Sequence, residues 1–286
     1  MTETARRTAL VLGAGGLTGA GWEIGVLYGL AEASTDLTTA DLVVGSSAGA
    51  VVGAQVASGK FPLDALYESQ LGDPVGELAA RLGPGQIVKY ALAMLRSRTP
   101  EEYGRRLGRI AGAATTVTPA VRRQVIAGRL GPATEWPGRR LVITAVDADS
   151  GELAALDGAD AQVSLVDAVT ASCAIPGVWP VAELAGHRYI DGGLHSTANA
   201  HLAAGYERVV VVAPSGTGSK VVVSPAAQGA ALAAAGARVE VITPDAESKR
   251  AFGRNPLDPT RRAPAVRAGR AQAAAHARAV AALWGQ

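Results

Sequence analysis

The stretch from Asp41 to Gly53 reads Asp-Leu-Val-Val-Gly-Ser-Ser-Ala-Gly-Ala-Val-Val-Gly, and few folds can accommodate it. Leu42-Val43-Val44 is a short apolar run, as expected of a strand buried on both faces. Gly45-Ser46-Ser47-Ala48-Gly49 then places a serine between glycines two positions away on either side, and small residues continue to Gly53. A strand that turns sharply into a helix needs those glycines, because the two backbones pass there without room for side chains. Such a turn strains the serine backbone and lifts its hydroxyl clear of the sheet. Ser47 is therefore the candidate nucleophile, with Gly45 and Gly49 as supporting positions. A chain with 35 glycines can produce this spacing by chance, so the flanking sequence has to decide.

Upstream, Thr8-Ala9-Leu10-Val11-Leu12 reads as the first strand of a parallel sheet. Gly13-Ala14-Gly15-Gly16-Leu17-Thr18-Gly19-Ala20-Gly21 follows as a glycine-rich loop, and a helix is expected from about Trp22 to Glu32. A loop of this kind ahead of a helix offers several backbone N–H groups to an anion. One reading is dinucleotide binding. Counting from Gly13, however, Thr18 stands where the third fingerprint glycine belongs, and the second strand ends in the serine turn and not in an acidic ribose ligand. The other reading is an oxyanion hole, in which the N–H groups of Gly15 and Gly16 face the oxygen that becomes negative when Ser47 attacks an acyl carbon.

Hydrophobic residues make up 48% of the 286, enough for an ample core, while aromatics at 4% argue against a nucleic-acid binder that stacks bases. The net charge of +2 implies no strong electrostatic partner overall. The single cysteine, Cys173, permits no internal disulfide and reads as a small buried hydrophobe. Arg6-Arg7 ahead of an apolar run loosely matches an export signal, but the glycines that interrupt the run fit a strand better, and a cytoplasmic location is expected.

The region from Lys60 to about Arg140 reads as helical. Ile87, Tyr90, Ala91, Met94 and Leu95 recur at helical spacing, and Arg96, Arg98, Arg105, Arg106, Arg109, Arg122, Arg123 and Arg129 give it a basic bias. Such a region is either an ordinary solvated helix face or a surface that meets an anionic membrane. Further strands are expected at Arg140–Asp147, His187–Asp191, Arg208–Ala213 and Ala237–Thr243, with a helix over Val166–Ser172 and an alanine-rich helix over Arg267–Trp284. The alternation predicts one α/β domain over residues 1–286, a three-layer α/β/α sandwich around a central, mostly parallel sheet. A helical cap is expected over about 60–140.

Four stretches in order resemble the patatin-like phospholipase family: Gly13 to Gly19, Gly45 to Gly49, Ala171-Ser172-Cys173-Ala174-Ile175-Pro176, and Asp191-Gly192-Gly193. The likeness spans residues 8–215. Two details depart from the family pattern: Thr18 stands where an Arg or Lys is frequent, and the first motif glycine falls at Ala14. Residues 216–286 carry no family signature and read as a C-terminal extension. The resemblance implies a patatin-like fold and a lipid acyl hydrolase using a Ser47–Asp191 dyad. In that dyad Asp191 takes the serine proton directly, Gly15 and Gly16 supply the oxyanion hole, and Gly13, Gly19, Gly45, Gly49, Gly192 and Gly193 support the motifs. No cofactor or metal is implied. The expected partner is a lipid or ester substrate, with peripheral membrane contact and no nucleic acid.

Two alternatives remain at this level. One is an α/β-hydrolase triad with a histidine relay, for which His195 lies next to the Asp-Gly-Gly turn. Against it, only one strand precedes the elbow, and a relay histidine normally sits in a separate late loop. The other is a catalytically silent lipid-binding module, which the intact Ser47, Asp191 and glycine loop disfavour.

Overall fold

The computed structural model describes residues 7–285 apart from 74, 75 and 79; Arg6 of the Arg-Arg pair lies outside the described residues. In chain order the elements are β1 (Thr8–Leu12), α1 (Gly16–Glu32), β2 (Leu42–Ser46), α2 (Ala48–Ala57), α3 (Leu63–Leu71), α4 (Pro84–Leu95), α5 (Pro100–Gly112), α6 (Pro119–Leu130), β3 (Arg140–Asp147), β4 (Leu153–Leu156), α7 (Leu165–Ser172), β5 (Ala182–Leu184), β6 (His187–Asp191), β7 (Arg208–Val212), α8 (Pro225–Ala234), β8 (Arg238–Ile242), α9 (Ala246–Phe252) and α10 (Arg262–Trp284). Helices α5, α6 and α8 start for the same local reason. A Thr or Ser precedes a proline, and Thr99, Thr118 and Ser224 each accept an N–H from the first turn. The proline is pre-set for the helix and lacks a donor that would otherwise go unpaired.

The strands form one 8-stranded sheet in which β3-β2-β1-β7-β8 run parallel, while β4, β5 and β6 add antiparallel pairs. Successive side chains alternate between faces. Leu10, Leu12, Val43, Leu141, Ile143, Val210 and Val212 pack under a core shared with α1, α2, α6, α7 and α10. Ala9, Val11, Val44, Val142, Val209 and Val211 face the opposite side, against Ala198 to Tyr206 and α8. On that second side α5 packs Tyr103 and Leu107 against Val146 and Ile190. The sheet is thus covered by helices on both faces, as the alternation of elements predicts. The helical segment 60–140 is divided between the layers, with α6 in the first core and α5 on the opposite face.

One expectation needs correction. Helix α1 begins at Gly16, not near Trp22. The glycines that read as loop are close-packing positions on a helix. A Cβ on Gly19 would meet Pro214 at 3.0 Å, and one on Gly21 would meet the Arg262 carbonyl at 3.0 Å. Farther along, a Cβ on Gly25 would lie 2.1 Å from the Val266 carbonyl oxygen, and one on Gly269 would lie 2.2 Å from the Trp22 carbonyl oxygen. Helix α10 therefore crosses α1 at backbone-to-backbone distance.

Pairing along β3 places the two ends of the site. On one edge of β3, β2 pairs as far as Ser46 opposite Thr144. On the other edge β4 pairs with Ile143 to Val146. Because β6 also pairs with Ala145 and Val146, it must occupy the edge that β2 has just left, with Asp191 opposite Ala145. The last residue of β6 thus arrives beside the point where the chain turns out of β2.

Candidate active site

Ser47 lies in the turn between β2 and α2 with φ 53° and ψ −109°, a conformation sparsely populated by residues with a side chain. Holding it costs on the order of 1–3 kcal/mol, which the surrounding packing must offset. The supporting contacts are visible. A Cβ on Gly45 would sit 2.5 Å from the Gly49 carbonyl oxygen, and one on Gly49 would sit 2.2 Å from the Leu12 carbonyl oxygen. The Ser47 N–H donates to Ser172 Oγ at 2.8 Å, and the Cys173 thiol approaches the Ser47 carbonyl at 3.3 Å. Ser47 stands at the N-terminus of α2, where the helix dipole favours negative charge.

Ser47 Oγ donates to Asp191 Oδ2 at 2.7 Å, and both residues are buried. The Gly193 N–H donates to Asp191 Oδ1 at 2.8 Å, so each carboxylate oxygen is held once. Burial pushes the Asp191 carboxyl up to about 6, while the bonds from Ser47 and Gly193 and the positive charge of Arg122 act in the opposite direction. The Asp-Gly-Gly turn is wedged in place. A Cβ on Gly192 would meet the Thr144 carbonyl at 2.2 Å, and one on Gly193 would meet Ala14 Cβ at 2.3 Å.

The glycine loop lies alongside. The Gly49 N–H donates to the Gly13 carbonyl at 3.0 Å, and the Gly13 N–H donates to the Val212 carbonyl. Gly16 has φ +64°, which only glycine adopts readily, and it lines the same narrow cavity as Ser47, Ala48, Cys173 and Trp179. Among the described residues, the N–H groups of Gly15, Gly16 and Ala48 have no hydrogen-bond acceptor. Gly15 packs against Pro214. The cavity is also closed by Leu257, and the Thr18 N–H donates to the Pro256 carbonyl at 3.1 Å. Residues beyond 216, which carry no family signature, thus contribute a wall. A wider cavity of about 600 Å³ adjoins it, sharing Leu17, Ala20, Val51 and Arg129.

His195 bonds neither member of this pair: its Nδ1 lies 3.2 Å from Asn199 Oδ1, while Asp191 holds Ser47 and Gly193. Asn199 itself escaped the sequence reading. Its buried Nδ2 donates to Ser46 Oγ at 2.9 Å, to the Gly192 carbonyl at 3.1 Å and to the Ser196 carbonyl at 3.0 Å. Ser46 Oγ in turn bonds Thr144 Oγ1 at 2.7 Å. This network ties the residue before the nucleophile to the turn after Asp191. Its one sequence signal is Asn at a left-handed position, φ 56°, and a sequence does not display φ. Arg122 was also misplaced. It belongs to the basic series expected on a solvated or membrane-facing surface, but it is 2% exposed, with its Cζ 4.1 Å from the Trp179 ring centroid.

A sheet of this topology, with a strained serine at the end of its second strand and a buried carboxylate against it, defines an α/β protein of the serine-elbow class. The family model for patatin-like phospholipase matches residues 10–204, and the chain belongs to that family. Among solved structures it is similar to VipD from Legionella pneumophila (15% identity, 66% of this chain and 46% of that one, TM-score 0.38). It is also similar to the type III effector protein ExoU (18% identity, 96% of this chain and 53% of that one, TM-score 0.42). The chain spans about half the length of each. No curated protein matches it.

Proposed function

We propose that the protein is a lipid acyl hydrolase that cleaves carboxylic esters through a Ser47–Asp191 dyad. The observation that carries this reading is the 2.7 Å bond from Ser47 Oγ to a buried carboxylate, with no histidine between them. In the first half-reaction Ser47 Oγ attacks the acyl carbon while its proton passes to Asp191 Oδ2. In this reading the N–H groups of Gly15 and Gly16, with that of Ala48, receive the resulting oxyanion; that none of them has another hydrogen-bond acceptor among the described residues supports it. One such donor contributes on the order of 3 kcal/mol in serine hydrolases, help that a weak carboxylate base requires. Collapse expels the alcohol with the proton from Asp191 and leaves an acyl-enzyme. Water, deprotonated by the same carboxylate, then releases the fatty acid and restores Ser47.

A panel of monomeric and micellar esters, assayed with wild type and Ser47→Ala, tests this. Hydrolysis by the wild type and none by the variant is expected. Activity that survives Ser47→Ala would remove the reading.

A membrane-facing role for α4 is supported by its exposed residues. Ile87, Val88, Leu92 and Leu95 form one exposed apolar stripe, and the helix contains no acidic residue. Lys89, Arg96 and Arg98 are exposed on or just after the helix, matching a bilayer with anionic headgroups. By contrast, Arg105 and Arg106 bond the Ser150 and Arg96 carbonyls. Tyr90 Oη donates to the Pro176 carbonyl at 2.8 Å, which ties α4 to the segment that lines the Ser47 cavity. Among the described residues no helix is long and apolar enough to cross a membrane.

A further inference from the structure

Arg122 stands in the wall of the Ser47 cavity, on the inward side of α6. Its guanidinium lies over the Trp179 ring at 4.1 Å, and the residue is 2% exposed. Its Nε and Nη1 are closed off and have no hydrogen-bond partner among the described residues. The charge therefore reaches the site through space and not by contact. Nothing cancels it locally. Glu77 is gripped by Arg129 through Nε and Nη2, and Asp191 is bonded to Ser47 and Gly193. A ring face does not replace a counter-ion. Burial lowers the Arg122 guanidinium to about 10, which leaves it charged at neutral pH.

An unpaired charge in a poorly polarisable surrounding acts far more strongly than the same charge in water. The ionisable groups that feel Arg122 are Arg129 on its own helix, Glu77, Cys173 and Asp191. Asp191 in turn is faced by the Ser47 hydroxyl and the Gly193 N–H, by Tyr90 of α4, by Cys173 after α7, and by Arg122. Burial raises the Tyr90 hydroxyl, and it raises the Cys173 thiol to about 11, so both are neutral where an esterase works. Burial also raises Asp191, and Arg122 is the cation that opposes it. Arg129, the other inward arginine of α6, is neutralised by its pair with Glu77.

We propose that Arg122 is a positioning residue of the dyad: its fixed positive charge, held against Trp179, keeps Asp191 in the anionic form that accepts the Ser47 proton at neutral pH. The proposal rests on the dyad reading of Ser47 and Asp191. It gives the dyad a third member that touches neither the substrate nor the proton. A direct Arg–Asp ion pair would hold the carboxylate more firmly but would occupy the oxygen that Ser47 uses. A cation set back from the carboxylate favours its charge and leaves that oxygen to the serine.

The test follows the rate of fluorophosphonate labelling of Ser47 against pH in wild type, Arg122→Met and Arg122→Lys. In Arg122→Met the acid limb should move up by about one pH unit or more, the shift a nearby opposite charge imposes on a carboxylate. The rate at about pH 5 should therefore fall about 10-fold and recover to within about twofold of wild type at about pH 9. Arg122→Lys keeps a cation, although burial neutralises an ammonium more readily, and should bring the limb part of the way back. An arginine that only fills space would slow labelling alike at every pH; an unmoved limb overturns the proposal. Replacing an unpaired buried cation by an apolar side chain of similar length should preserve the fold. If Arg122→Met nevertheless fails to fold, Arg122→Gln, polar but uncharged, is read by the same limb. If wild-type Ser47 takes no label at any pH, the dyad reading falls and denaturant melts decide. The stability gained by Asp191→Asn at pH 7 is then compared with and without the guanidinium. A larger gain in the Arg122→Met background keeps Arg122 as the charge that acts on Asp191, and an equal gain removes both readings.

Discussion

Ser47 Oγ reaches Asp191 Oδ2 at 2.7 Å across 144 residues of chain. The register of β3 brings them together: β2 leaves its edge after Thr144, and β6 takes over that edge from Ala145. The separation between nucleophile and base is therefore set by sheet pairing, not by loops. A base on a strand end is held more rigidly than one on a loop, which suits a proton transfer that tolerates little misplacement.

The Asp191 carboxyl, raised by burial to about 6, makes activity pH-dependent. The ionised form is the base, so kcat/KM should rise as pH passes upward through about 6 and level off above it. Stability should move the other way. The folded pKa lies above the ordinary 3.8, so this group's contribution is fully present below 3.8 and is lost as pH rises through about 6. Asp191→Asn should abolish activity yet gain stability over wild type at pH 7, by at most about 3 kcal/mol, and the gain should shrink towards pH 4. Denaturant melts at the two pH values check this.

Asn199 should matter to the fold without touching substrate. Asn199→Ala leaves Ser46 Oγ and the Gly192 and Ser196 carbonyls without this donor and puts alanine at φ 56°. A loss of about 3 kcal/mol is expected, from unsatisfied buried groups and backbone strain together. Chemical denaturation measures it, and a loss below 1 kcal/mol would contradict the role assigned to the network.

The crossing of α1 by α10 should be equally intolerant. A methyl on Gly25 would meet the Val266 carbonyl at 2.1 Å, and backbone cannot yield as a side-chain tip can. Gly25→Ala should lower stability by about 1–3 kcal/mol despite the better helix propensity of alanine. A neutral or higher melting temperature would show that the helices are not packed this closely.

The exposed stripe on α4 leads to a binding prediction. The protein should co-sediment with vesicles containing phosphatidylglycerol, less with neutral vesicles and less at raised salt. Ile87→Glu combined with Leu95→Glu should abolish that binding, since both side chains are more than half exposed and their replacement disturbs no core. Binding indifferent to headgroup, salt and variant would discard this surface.

The elbow, the strands before and after it and the Asp-Gly-Gly turn were legible in the sequence because each depends on local spacing. Gly45 and Gly49 announce a close crossing, and Leu42 to Val44 announce a buried strand. The start of α1 was not legible. Gly16, Gly19 and Gly21 look like loop until Pro256, Pro214 and α10 are seen packed against them in turn. Arg122 and Arg123 are adjacent and alike in sequence, yet one lies buried over Trp179 and the other is exposed and paired with Asp167. Which arginine turns inward depends on how α6 docks, and that is a tertiary fact. Asn199 is recognisable only once Ser46, Gly192 and Ser196 converge on it.

The dyad is tested most directly by fluorophosphonate labelling followed by peptide mass spectrometry, run in parallel on wild type, Asp191→Asn and His195→Ala. Ser47 in the wild type should carry the adduct. Labelling should collapse in Asp191→Asn, because the reagent needs the same proton transfer as an ester. It should persist in His195→Ala. An adduct on another residue, undiminished labelling of Asp191→Asn, or a His195→Ala protein that stays folded but unlabelled would contradict the Ser47–Asp191 account.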